Sequence, residues 1–235
     1  MLIALALVAV TIVTRPESYQ PVAPSGNPPS SPQVRSPAMA ALDQLPVKGR
    51  APATGYERTL FGNGWDTSGG CDTRNIILAR DMQDEVVNEK CQVVSGVLRD
   101  PYTGREITFL RGAESSQKVQ IDHVVALSDA WQKGAQQLTP AERKALANDP
   151  LELLAVEGEA NQQKSNGDAA TWLPPNKAFR CQYVARQIAV KQKYRLWVTA
   201  AERDAMRGIL ATCPTQTLPK GEIEQEVDKS DQNVL

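Results

Sequence analysis

The sequence predicts an α+β domain, and three observations predict it. Apolar residues at 77, 78, 82 and 86 give 74–87 a helical spacing, and 175–195 reads as a long helix. The segments 139–149 and 199–213 each open on Thr with Glu three residues later, the pattern of a capped helix. Between these, 93–110 reads as two strands around a Pro-Tyr-Thr-Gly turn, and 119–127 and 151–156 are short apolar runs.

Taken in order, residues 2–13 form one apolar run, too short for a membrane span of roughly 20 residues. We read 1–14 as a signal peptide or short anchor, although no Lys or Arg precedes the run and no clear small-x-small site follows it. Residues 15–55 are rich in Pro and Ser and read as a linker. The folded domain is expected over 56–213. Within it 128–135 turns helical and 159–168 reads as a short polar helix. Residues 214–235, with five acids and two lysines after Pro219, read as a flexible acidic tail. No stable membrane span is expected, and the leader points to a secreted or cell-envelope protein.

Composition excludes several functions. The net charge of -1 rules out a uniformly basic coat for nucleic acid, though not a local basic face. One histidine, His123, rules out any site needing two imidazoles in one chain. The four cysteines contain no CxxC pair, which rules out a zinc ribbon or thioredoxin motif. In an exported protein they suit two disulfides. Three pairings are open, and Cys71–Cys91 with Cys181–Cys213 is preferred because each closes a short loop.

The chemistry gathers around His123. Asp122 and His123 are adjacent in an apolar stretch, so on a strand they face opposite ways, one free to bind a metal and the other to handle a proton. A second polar group, Asn161, Lys164, Ser165, Asn166 and Asp168, follows the apolar 151–156 run and offers oxygen ligands for a hard cation.

Together these two segments resemble the HNH endonucleases. Asp122-His123 matches the first strand of that family's metal finger, and Asn161 with Lys164 matches its helix. Glu152, followed by Leu153 and Leu154, stands where the family carries an Asn that fixes the finger's loop; Glu can accept such bonds but not donate them. The blocks Gly70–Arg74, Leu78–Asp81, Asp100–Gly104 and Trp172–Lys177 are similar to exported bacterial proteins of this type, over roughly 56–207.

The resemblance implies a ββα-metal core with surrounding helices and phosphodiester hydrolysis of nucleic acid, DNA ahead of RNA, at low sequence specificity. It implies His123 as general base, with Glu152 as the second catalytic position. Asp122 and Asn161 would hold one Mg²⁺ or Mn²⁺, and Lys164, Arg74 and Arg80 are candidates for the substrate phosphate. A neutral imidazole with an ordinary pKa near 6.5 suits proton abstraction at neutral pH. Between Asp168 and Glu202 there is no acid, while Lys177, Arg180, Arg186, Lys191, Lys193 and Arg195 fall in that gap, a candidate basic face. The rival reading is a non-catalytic exported protein with a degenerate HNH fold that binds nucleic acid or a wall polymer.

Overall fold

The hairpin that carries Asp122 and His123 lies between two hydrophobic clusters, and its alternating side chains explain why. The computed structural model describes residues 35–113 and 115–220. The expected leader 1–14, residues 15–34 of the linker and the end of the acidic tail lie outside the described residues.

In chain order the elements are α1 (Pro37–Gln44), a 3-10 turn (Arg58–Phe61), β1 (Thr67–Ser68), β2 (Cys71–Asp72), α2 (Thr73–Asp81), β3 (Met82–Val87), β4 (Val93–Arg99) and β5 (Glu106–Leu110). They continue with β6 (Val119–His123), α3 (Leu127–Gln132), α4 (Pro140–Ala147), β7 (Leu153–Glu157), α5 (Gly158–Lys164), α6 (Arg180–Lys193) and α7 (Ala200–Leu210). The α+β class holds. Among the described residues three small antiparallel sheets form: β1-β2, β3-β4-β5 and β6-β7.

In β6-β7, Ile121 pairs with Ala155 and Asp122 with Leu154. With a side-chain period of two, Val119, Ile121, Leu153 and Ala155 enter the cluster built on α2 and β3–β5. Leu154 and Val156 enter the larger helical cluster with α1, α4, α6 and α7. A strand apolar on both faces explains the unbroken apolar run 153–156.

Both Thr-Glu capping boxes form: Thr139 with Glu142 opens α4, and Thr199 with Glu202 opens α7. Both preferred disulfides are present, Cys71–Cys91 and Cys181–Cys213. No described helix is long and apolar enough to cross a membrane.

Three expectations are corrected. The helix read over 74–87 stops at Asp81: the β-branched Val86 and Val87 pair with Ser95 and Val93, and that ladder overrides the local periodicity. The linker read as 15–55 ends earlier. Ser36 caps α1, Ala38 and Leu42 are buried in the main core, and Arg50 pairs with Asp129 and Asp168 at 2.7 and 2.6 Å. The start of the tail also packs, because Gln216 O accepts the amide of Ala38.

Of the six cations expected to form a basic face between Asp168 and Glu202, Lys177 is exposed, and the other five are bonded or paired. Lys191 is fully buried beside Glu202, Arg186 donates to the carbonyls of Pro150 and Leu151, Arg180 donates to Pro174 O, and Lys193 and Arg195 pair with Asp149 and Glu142. The missing acids lie on other elements, which a window on one helix cannot reveal.

Candidate active site

The site is built where β6, β7, α5 and the end of α4 meet. Gln120 and Asp122 lie on one face of β6, two residues apart; Asn161 and Lys164 lie on one face of α5, three apart. The two faces meet pair on pair. Asn161 Nδ2 donates to Gln120 Oε1 at 2.9 Å, and Lys164 Nζ donates to Asp122 Oδ1 at 2.9 Å and to His123 O at 2.8 Å. Gly158 permits this approach: a Cβ there would stand 2.2 Å from Gln117 O.

Asp122 is buried. Its second oxygen accepts the hydroxyl of Tyr102, which reaches in from the β4–β5 turn. Burial pushes the Asp122 carboxyl up, and Lys164 and Tyr102 pull it back. Tyr102 was legible only as part of the Pro-Tyr-Thr-Gly turn. That turn is docked by Asp100, whose carboxylate accepts the amides of Thr103 and Glu157 at 2.7 and 2.8 Å.

His123 is buried at the end of β6. Its Nε2 lies 3.0 Å from Ala147 O, one of the last carbonyls of α4, which has no partner within its helix. A carbonyl only accepts, so Nε2 carries the proton and Nδ1 keeps the lone pair. Trp65 lies nearly parallel to the imidazole, with centroids 5.8 Å apart. The pKa expected near 6.5 is corrected: desolvation, with smaller contributions from Arg58 and Lys164, lowers it to about 3 despite the bond to Ala147. His123 is therefore neutral at any physiological pH.

Glu152 is fully buried. Both carboxylate oxygens lie 3.2 Å from the amide of Val125, and its own carbonyl accepts the amide of Val124. The side chain thus takes over where the β6-β7 ladder ends and fixes the turn after His123. Glu152 supports the site from beneath and does not line its cavity.

Asp122, His123 and Asn161 line one cavity of about 250 Å³. Lys164 does not reach it, being 2 % exposed and held by Asp122. Arg80 pairs with Asp81 and donates to the carbonyls of Pro150 and Leu153 at 2.7 Å each, tying α2 to the start of β7. Arg74 donates to Val119 O at 3.3 Å. Neither arginine lines the cavity. The cation that does is Arg58, which the sequence reading passed over for want of a neighbouring motif.

The donors suit a hard cation. Asn161 gives its N–H to Gln120, so its amide oxygen is the atom that side chain could offer a cation, as the Asp122 carboxylate could. Among the described residues no group of three or more His, Cys, Asp and Glu converges, so a cation here would rest on one carboxylate, one amide oxygen and water.

Residues 72–209, more than half the chain, match the family described as "GmrSD restriction endonucleases, C-terminal domain". The chain belongs to this family. The GmrSD C-terminal match supports the HNH-type nuclease family expected from Asp122-His123 and Asn161. A relative from Arthroderma benhamiae, whose name describes an uncharacterized secreted protein, is 37% identical over 209 residues, covering 88% of this chain and 96% of its own length.

Proposed function

We propose that the protein is an exported, divalent-metal-dependent endonuclease that hydrolyses phosphodiester bonds of nucleic acid, DNA ahead of RNA, with little sequence preference. The observation that carries this reading is the bond from His123 Nε2 to Ala147 O, because it leaves the lone pair on Nδ1 of a residue that lines one cavity with Asp122 and Asn161.

In this mechanism His123 Nδ1 takes a proton from water as the water attacks phosphorus. The low pKa comes chiefly from desolvation, with smaller contributions from Arg58 and Lys164. An anionic phosphate entering the cavity offsets Arg58 and Lys164 and moves the imidazole upward, toward the range useful for a base. Asp122 and Asn161 would hold the cation, which when bound supplies charge neutralisation at the phosphate and the leaving oxygen. Lys164 and Tyr102 fix the Asp122 carboxylate; Glu152 and Ala147 fix the chain and ring of His123. The two disulfides and the secreted relative support export.

One observation favours a second reading, a nucleic-acid binder without catalysis: both oxygens of Asp122 already have partners, one of them the Lys164 ammonium. Purified, oxidised protein incubated with plasmid DNA and with RNA, in Mg²⁺, Mn²⁺ or EDTA, separates the two. Cleavage that EDTA stops supports the enzyme; binding with no cleavage in any ion supports the binder.

A further inference from the structure

Two cavities meet at His123. One, about 130 Å³, extends toward Trp65 and Ala147; the other, about 250 Å³, extends toward Asp122 and Asn161. Arg58 lines both, and it is the one cation among the residues lining either. Its side chain is exposed and makes no hydrogen bond or ion pair among the described residues.

Its backbone, in contrast, is held firmly. Tyr56 and Phe61 flank it and pack on each other and on Trp131, with ring centroids 6.2 to 6.5 Å apart. Arg143 of α4 donates to Leu60 O at 3.1 Å. An anchored turn thus places at the cavities of the candidate base a guanidinium that is unpartnered among the described residues. Among the described residues Arg80, Arg186 and Lys191 are all bonded inward, while Arg58 keeps its guanidinium fork, a shape that matches phosphate oxygens, available at the cavity.

We propose that Arg58 is the residue that grips the phosphate of the bond cleaved beside His123. This rests on the hydrolytic reading and names the contact it leaves open, since Lys164, Arg74 and Arg80 are all engaged elsewhere. Phosphate binding by one guanidinium makes two marks. It adds one charge-assisted bond, and it releases about one counterion on binding.

The test compares the parent with R58Q and R58K. The first readout is affinity for a short fluorescein-labelled single-stranded DNA in EDTA across a salt series; the second is plasmid cleavage with Mg²⁺ or Mn²⁺. R58Q is expected to bind about 10- to 100-fold more weakly and to flatten the log–log salt slope by roughly 0.7 to 1. R58K is expected to keep the slope and lose part of the cleavage rate, because charge remains and the fork does not. Circular dichroism checks that both variants are folded. An unchanged salt slope in R58Q overturns the proposal, even if cleavage falls, because a structural role alone would do that. A flattened slope in a parent that never cleaves supports Arg58 as the phosphate contact while removing the hydrolase reading.

Discussion

Both carboxylate oxygens of Glu152 face the amide of Val125, each at 3.2 Å. The turn after His123 needs an acceptor at this point, and a carboxyl supplies one as well as an amide does. What differs is ionisation. Burial, with further contributions from Asp122 and Asp149, raises the Glu152 carboxyl well above its ordinary 4.5, against the pull of Val125 and Lys164.

The sign of the pH effect follows. The folded state holds a proton that the unfolded chain releases above about 4.5. The contribution of Glu152 to stability is therefore complete below that pH and is lost as pH rises toward its folded value. E152Q keeps the acceptor and cannot ionise. In urea unfolding, E152Q is expected to match the parent near pH 4.5 and to exceed it at pH 8. Glu152→Ala should be less stable at both, by about 1–3 kcal/mol, for the unmet Val125 amide. Equal pH slopes for parent and E152Q would refute the buried neutral carboxyl.

The Asp122–Lys164 pair should behave as a coupled unit. D122N leaves a buried ammonium without its countercharge, at a cost of about 3–5 kcal/mol. The double variant D122N/K164M should recover much of that, and both should bind Mn²⁺ more weakly in calorimetry. Additive losses would show that the two side chains do not meet.

Much of this was readable beforehand. Capping boxes, both disulfides and the two-strand turn are local patterns, and local chemistry dictates them. Asp122, His123 and Asn161 were legible because their order along the chain resembles a known finger. The partners were not legible. Ala147, Tyr102 and Arg58 reach the site from separate elements, and nothing in their own neighbourhoods records it. Charge pairing is hidden for the same reason: Lys133 caps the end of α3, yet its ammonium meets Asp129, Asp168 and Glu202 at 2.9, 2.7 and 2.6 Å, from three different segments.

That buried cluster carries its own prediction. K133M removes the ammonium that three buried carboxylates share, leaving them Arg50 and Lys191 alone, and should lower stability by about 3–5 kcal/mol, with the loss visible as a fall in melting temperature. A change within 0.5 kcal/mol, the ordinary range for a surface site, would contradict it.

Each disulfide should add roughly 3 kcal/mol through its closed loop. Serine replacement of Cys71 and Cys91, or of Cys181 and Cys213, is expected to show this in denaturant titrations. Protein recovered from outside the cytoplasm should contain no thiol that alkylates before reduction; four alkylated thiols would refute both bridges.

The central claim is that His123 is the base. Its most direct measurement is the rate of plasmid nicking by H123A beside the parent, in saturating Mg²⁺ or Mn²⁺, with circular dichroism and Mn²⁺ binding recorded on both. The account predicts a loss of about 10²–10⁴ in rate, with fold and metal binding retained. H123A that nicks as fast as the parent would contradict it.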